Sequence, residues 1–109
     1  YIVGSCNTLE FEKENNIPKQ FSLKAYPNPF NPSINIDYSL SEFTFIDISI
    51  YDIRGQLIKN LIGENKSPGF YTCSWDSRNN NGKKVSAGLY FINTHTQSYS
   101  HIRKIVLVK

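Results

Sequence analysis

The chain has 109 residues and a mass of 12.5 kDa, with 39% hydrophobic, 14% aromatic and 19% charged residues, which describes one globular domain with a single core and excludes a disordered chain. Lys+Arg 12 against Asp+Glu 9 leaves a net charge of +3, scattered along the sequence, which excludes the concentrated basic stripe of a nucleic-acid binder. Only two alanines, Ala25 and Ala87, stand against 13 isoleucines, 4 valines, 5 threonines and 15 aromatics, so strands are expected and no helix is required.

No apolar run approaches the roughly 18 residues of a membrane-spanning helix. The start at Tyr1-Ile2-Val3 shows neither an initiator Met nor a signal-peptide h-region, and is expected to be a cut from a longer chain. Residues 1–8 read as a short strand of this domain or, in preference, as the tail of whatever precedes. Leu9 to Gln20 is polar, charged and without strand alternation, which predicts a linker, with the folded domain spanning 21–109.

Seven strands are expected near 21–26, 34–40, 44–51, 56–62, 70–76, 88–96 and 99–108, bounded by turn residues at sandwich spacing. In the second, Ile34, Ile36, Tyr38 and Leu40 share a dry face and Asn35, Asp37 and Ser39 a wet one. The third repeats this with Ile46, Ile48 and Ile50 against Asp47, Ser49 and Tyr51, and the fifth turns Tyr71, Cys73 and Trp75 inward. Between strands, Tyr26-Pro27-Asn28-Pro29-Phe30-Asn31-Pro32 forms a stiff turn, because each proline fixes φ and biases its predecessor to an extended conformation, with Phe30 a plug into the core. Asp52-Ile53-Arg54-Gly55 reads as a type I turn closed by a left-handed glycine, Asn80-Asn81-Gly82 as a second tight turn, and Ser86-Ala87-Gly88 as a break before the sixth strand. Two packed antiparallel sheets bury these faces most economically.

Candidate chemistry is thin. Asp37, Asp47, Asp52 and Asp76 sit on wet faces or in turns at no catalytic spacing, so no enzyme is expected. His95 and His101 would oppose each other across a three-residue turn, but they lack a third ligand, and solvated imidazoles explain them better than a metal. The Asp76–Gly82 run has Ser at the first calcium-loop position and Gly88 at the twelfth, so its asparagines are expected to serve turn geometry, with Asp76 capping. Tyr51, Phe70 and Tyr99 are exposed aromatics that could stack on sugars or mean nothing. Cys6 and Cys73 form no C-x-x-C pair, which argues against zinc or redox chemistry, and they allow one disulfide at most. The inward place of Cys73 favours a free, small apolar filler. No cofactor is expected.

The combination of motifs nevertheless resembles a known family. Ile17-Pro18-Lys19-Gln20-Phe21-Ser22-Leu23 leads to Tyr26-Pro27-Asn28-Pro29-Phe30-Asn31-Pro32-Ser33 and Ile34-Asn35-Ile36. Then come Ile50-Tyr51-Asp52-Ile53-Arg54-Gly55, Trp75-Asp76, Asn81-Gly82, Ser86-Ala87-Gly88-Leu89-Tyr90-Phe91 and a final Arg103-Lys104-Ile105-Val106-Leu107-Val108-Lys109. In order and spacing this is similar to the type A C-terminal sorting domains of the type IX secretion system of Bacteroidota. The Ig-like domain of flagellar hook-capping proteins is a similar fold, so fold alone does not separate sorting from assembly.

The resemblance implies an all-β, immunoglobulin-like antiparallel sandwich of about seven strands that acts as a non-catalytic address label. It implies a secreted multidomain cargo in the same chain, with 1–20 as linker or cargo remnant. Its partners would be the outer-membrane translocation machinery and a sortase-like cysteine peptidase that removes the domain. The route implied runs through the periplasm to the cell surface or beyond. By analogy the cut falls before Phe21, where an exposed polar linker can bind a protease in extended form. The matching recognition elements are Pro27, Asn28 and Pro29 in the proline turn, Asp52 and Gly55 in the hairpin, Gly88 with Tyr90, and Lys104 and Lys109 in the terminal strand. That strand is expected to be read as an edge, by β-augmentation or by capture of its carboxylate. The alternative is a structural or carbohydrate-binding accessory module of a secreted hydrolase, and what lies beyond residue 109 would separate the two.

Overall fold

Alternation of apolar and polar residues builds seven strands: β1 (Ser22–Tyr26), β2 (Ile34–Leu40), β3 (Thr44–Asp52), β4 (Leu57–Lys66), β5 (Gly69–Trp75), β6 (Gly88–His95) and β7 (Ser100–Leu107). The structure, a computed structural model, describes residues 18–108. Residues 1–17, with Cys6 and most of the expected linker, and Lys109 lie outside the described residues, and so does any pairing of Cys6 with Cys73.

The strands form two antiparallel sheets, one ordered β1-β2-β5 and the other β4-β3-β6-β7. Between them Ile34, Ile36, Tyr38 and Leu40 of β2 and Tyr71, Cys73 and Trp75 of β5 face Ile46, Ile48 and Ile50 of β3, Ile92 of β6 and Ile105 and Leu107 of β7. This is the immunoglobulin-like sandwich expected from the sequence. Phe30 plugs one end of the core at 1% exposure, with its ring 5.7 Å from that of Trp75. Tyr90 meets Trp75 edge-on at 5.4 Å, and its hydroxyl donates to the Ser86 carbonyl at 2.6 Å, a tyrosine corner that ties the start of β6 to the preceding loop. Tyr71 repeats the device on Ser67.

Strand direction sorts the loops to two ends. One holds residues 18–21, the β2–β3 turn and the β6–β7 turn. The other holds the proline turn, the β3–β4 hairpin, the long loop between β5 and β6, and the end of β7.

Three expectations need correction. β4 runs to Lys66 rather than 62: Gly63-Glu64-Asn65 shows no apolar alternation, but an edge strand needs only one neighbour, and this stretch pairs with Phe45–Asp47. The outer face of β3 is only partly wet, because Ser49 is buried and donates to Asp47, while the Asn60 amide of β4 donates to both. Likewise Ser39 on β2 is buried, bonded to Ser22 across the sheet.

Candidate recognition surface

The proline turn does more than connect β1 to β2. Its residues lie alongside the outer edge of β7: the Asn28 side-chain amide donates to the Lys104 carbonyl at 3.2 Å, and its Oδ1 accepts from the Val106 amide at 3.0 Å. One residue pair further, the Phe30 amide donates to the Val106 carbonyl and Val108 donates to the Phe30 carbonyl, both at 2.9 Å, a short parallel bridge. All three proline peptide bonds in this turn are cis. Four hydrogen bonds therefore occupy the β7 edge from Lys104 to Val108, a stretch that would otherwise offer unpaired backbone to any passing strand. At the far side of the turn, the buried Ser77 hydroxyl donates to the Pro32 carbonyl.

This alters the sequence reading of the terminal strand. Its edge is not open where the motif lies, so a strand added there has to displace Asn28 and Phe30. What remains presented is the exposed Lys104 side chain and the exposed Val108 beside the Pro27–Pro29 surface. At the other half of β7, Arg103 reaches across to donate to the Leu23 carbonyl of β1 at 3.1 Å, joining the two sheets.

The hairpin from Asp52 folds as expected. Gly55 adopts φ +85, its amide donates to the Asp52 carbonyl, and Asp52 Oδ1 accepts from the Arg54 and Gln56 amides at 2.9 Å. Those bonds hold the Asp52 carboxyl below its ordinary value, the Gln56 amide first, then the Arg54 amide and charge. The same five-residue geometry recurs at Asn79: its Oδ1 accepts from Asn81 and Lys83, Gly82 donates back to its carbonyl, and Gly82 has φ +82. Asn79, not Asp76, is thus the cap. Asp76 faces Arg78 at 3.6 Å instead. With Asn79 Oδ1 committed to two amides, the loop is organised as a turn rather than as a calcium cradle. It also covers β4, since the Asn80 amide donates to the Ile58 carbonyl and Asn80 Oδ1 accepts from the Asn60 amide. The Asp-x-x-Gly and Asn-x-x-Gly spacing shared by the two turns was the signal in the sequence that marks Asn79.

The candidate residues converge. Register places Asp52 beside Tyr90 and Tyr90 beside Ile105, while Phe91 pairs with Lys104 and Gly88 with Leu107. Pro27, Asn28, Pro29, Asp52, Gly55, Gly88 and Lys104 therefore all belong to the end of the sandwich remote from residues 18–21. Tyr90 shares that end, but its ring is buried, so it supports the surface rather than forming it. Lys109 lies outside the described residues. The loops here carry Arg54, Arg78, Lys83 and Lys84 against Asp52 and Asp76, and each acid already faces an arginine. Lys83, Lys84 and Lys104 have no ion pair among the described residues, so this end is cationic.

Other candidates separate. His95 pairs with Ser100 and His101 with Thr94, so the two imidazoles point to opposite faces of the sheet. Among the described residues no cluster of three metal-ligating side chains occurs. Tyr51 lies on the outer face of the four-stranded sheet, Phe70 on that of the other sheet, and Tyr99 packs on Phe21 at 4.3 Å, so the three do not form one stacking platform.

The family model described as the secretion system C-terminal sorting domain matches residues 24–109. The chain belongs to this family. Among solved structures, the sorting domain is similar to part of PorU from Porphyromonas gingivalis, solved in a dimeric latent form, with a TM-score of 0.65 and 18% identity over 79% of this chain and 9% of that one. It is similar also to PorZ of the same organism, a surface component of its type-IX secretion system, with a TM-score of 0.57 and 18% identity over 80% and 11% of the two chains. FlgD of Xanthomonas campestris, a hook-capping protein of flagellar assembly, gives 0.53 and 21% over 83% and 63%. The sorting domain thus spans a small part of the first two and under two thirds of the third, and at these identities the likeness is one of fold. No curated protein matches the sequence significantly.

Proposed function

We propose that this domain is the address label of a secreted protein, directing a cargo joined to its N-terminal side through the outer-membrane machinery of a type IX secretion system without catalysing any reaction itself. The observation that carries the reading is the polarity of the fold. The proline turn, the Asp52 hairpin, Gly88 and the end of β7 lie at one end, where Asn28 joins the proline turn to β7, whereas residues 18–21 lie at the opposite end. A receptor could hold the first end while the attached cargo hangs clear. Membership of the sorting family supports the role, and the described nature of PorZ supports assigning it to the type IX system.

On this reading the protein crosses the periplasm folded at its C-terminal side and reaches the cell surface or the medium. The sortase-like cysteine peptidase acts on the polar, charged arm before Phe21, the kind of sequence a protease binds in extended form. Recognition rests on Pro27, Asn28, Pro29, Asp52, Gly55, Gly88 and Lys104, with Lys109 beyond them. Because Asn28 and Phe30 occupy the edge of β7, the receptor reads side chains there rather than adding a strand.

The test is to fuse residues 1–109 to a periplasmically exported fluorescent protein in a bacterium with a type IX system, beside a copy lacking Arg103–Lys109. Surface fluorescence and loss of the domain's mass for the first fusion alone support a cleaved sorting signal. Equal export of both fusions overturns it.

A further inference from the structure

The outer face of the four-stranded sheet is unusually apolar where it meets the recognition end. Tyr51 and Phe91 pair across β3 and β6, Leu57 flanks Tyr51 on β4, and Lys104 flanks Phe91 on β7. Near this row stand Ile53 at 69% exposure and Ile102 at 61%, values at which most of a large aliphatic side chain's surface is in water. Tyr51, Asp52, Ile53, Gly55, Phe91 and Ile102 line a shallow concavity of about 480 Å³, with Leu57 and Lys104 beside it in register. Scattered exposed aliphatics are ordinary, but a contiguous group framing a concavity marks a contact surface.

Charge indicates what fits. Next to Phe91, Lys104 has no ion pair among the described residues, while the acid of the lining, Asp52, is already engaged, its Oδ1 by two amides of its own turn and its Oδ2 by Arg54 at 3.7 Å. On the floor, Asn93 Oδ1 is buried beside Ile102 without a donor among the described residues. The concavity on the other sheet differs, because there Asp37 already accepts from Tyr26 and Thr72.

We infer that this groove is a docking site for a polypeptide segment of the export machinery that presents an apolar side chain flanked by an acidic residue. The apolar side chain lies on Phe91 between Ile53 and Ile102, and the carboxylate meets Lys104. An amide of the same segment can reach Asn93 once the exposed Ile102 side chain swings aside. This deepens the sorting reading and rests on it: the groove adjoins the Asp52 hairpin and Lys104, so one partner surface can cover both.

The test uses the full chain fused to the exported reporter in a type IX host, with surface signal as the readout and the thermal midpoint of each purified chain as the control for folding. Ile53→Glu, Ile102→Glu and Lys104→Glu are each expected to lower surface signal by about tenfold or more at unchanged midpoint, the effect of losing an interface anchor. Asn35→Glu, an exposed position on the opposite sheet, is expected to leave it within about twofold. Export within about twofold for all three groove variants, while removal of Arg103–Lys109 abolishes it, overturns the groove and leaves the sorting reading standing. Export that survives the removal overturns the sorting reading itself. Should the glutamate variants of the isoleucines lose stability, Ile53→Ser decides, because that side chain lines the groove, is 69% exposed and lies outside the recognition set named above.

Discussion

A glycine at Gly55 is required by backbone conformation and not by space. A Cβ added there would meet nothing within 4 Å, yet φ is +85, a region in which side chains crowd the following carbonyl. Gly55→Ala is therefore expected to lower stability by about 1–2 kcal/mol, measured by denaturant unfolding, and no loss would mean that the turn re-forms without the left-handed residue. Its neighbour Asp52 titrates below the ordinary carboxylate value of 3.8, because ionised Oδ1 accepts the Gln56 and Arg54 amides. A group depressed in the folded state stabilises above its unfolded value and loses that contribution as pH falls through the folded one. Thermal midpoints followed from about pH 7 to about pH 3 should thus fall less steeply for Asp52→Asn, whose amide oxygen keeps both bonds without titrating. Parallel curves for the two proteins would remove Asp52 from the acid response.

At the level of elements, the proline turn is best understood as the missing neighbour of β7. An edge strand normally exposes a row of unpaired backbone groups, and here Asn28 supplies a donor and an acceptor in the pattern of a strand, with the Phe30 backbone continuing it. Asn28→Ala should raise hydrogen exchange at the Val106 amide by about tenfold or more while Ile105, paired with Tyr90 on the other side, stays protected. The opened edge should also promote self-association, visible by sedimentation. Unchanged protection at Val106 would show that Phe30 alone holds the edge. β4 is treated the same way, since Asn80 bonds to Ile58 and Asn60, so both edges of the larger sheet are covered in part by asparagine-bearing loops.

For the molecule as a whole, the two ends differ in role. Residues 18–21 enter beside the β2–β3 and β6–β7 turns, where Lys66 pairs with Glu64 at 2.9 Å, while the far end carries Lys83, Lys84 and Lys104, which have no ion pair among the described residues. A short charged tag placed after Lys109 is accordingly expected to reduce reporter export strongly, whereas the same tag inserted before Phe21 should leave it unchanged. Equal tolerance at both places would contradict the division of roles. The thermal midpoint should move in neither case, because both insertions lie outside the paired strands.

Strand alternation in β2, β3 and β5 determined the class, the inward residues and the sandwich, because a period of two with one dry face leaves few other ways to bury isoleucines. The hairpin at Asp52 and the plug at Phe30 were equally legible, since left-handed glycine and proline act locally. The motifs from Pro27 to Lys109 indicated the family. Tertiary structure alone decided the rest. That Asn28 reaches Lys104 and Val106 is a contact across more than seventy residues, for which no local periodicity exists. The polar half of β4 is a strand only because β3 offers it partners, and the histidines part because the β6–β7 register was set by the pairing of Thr94 with His101, not by the turn residues. Convergence of the candidate residues on one end follows from the antiparallel course of the chain, which returns every second loop to the same place.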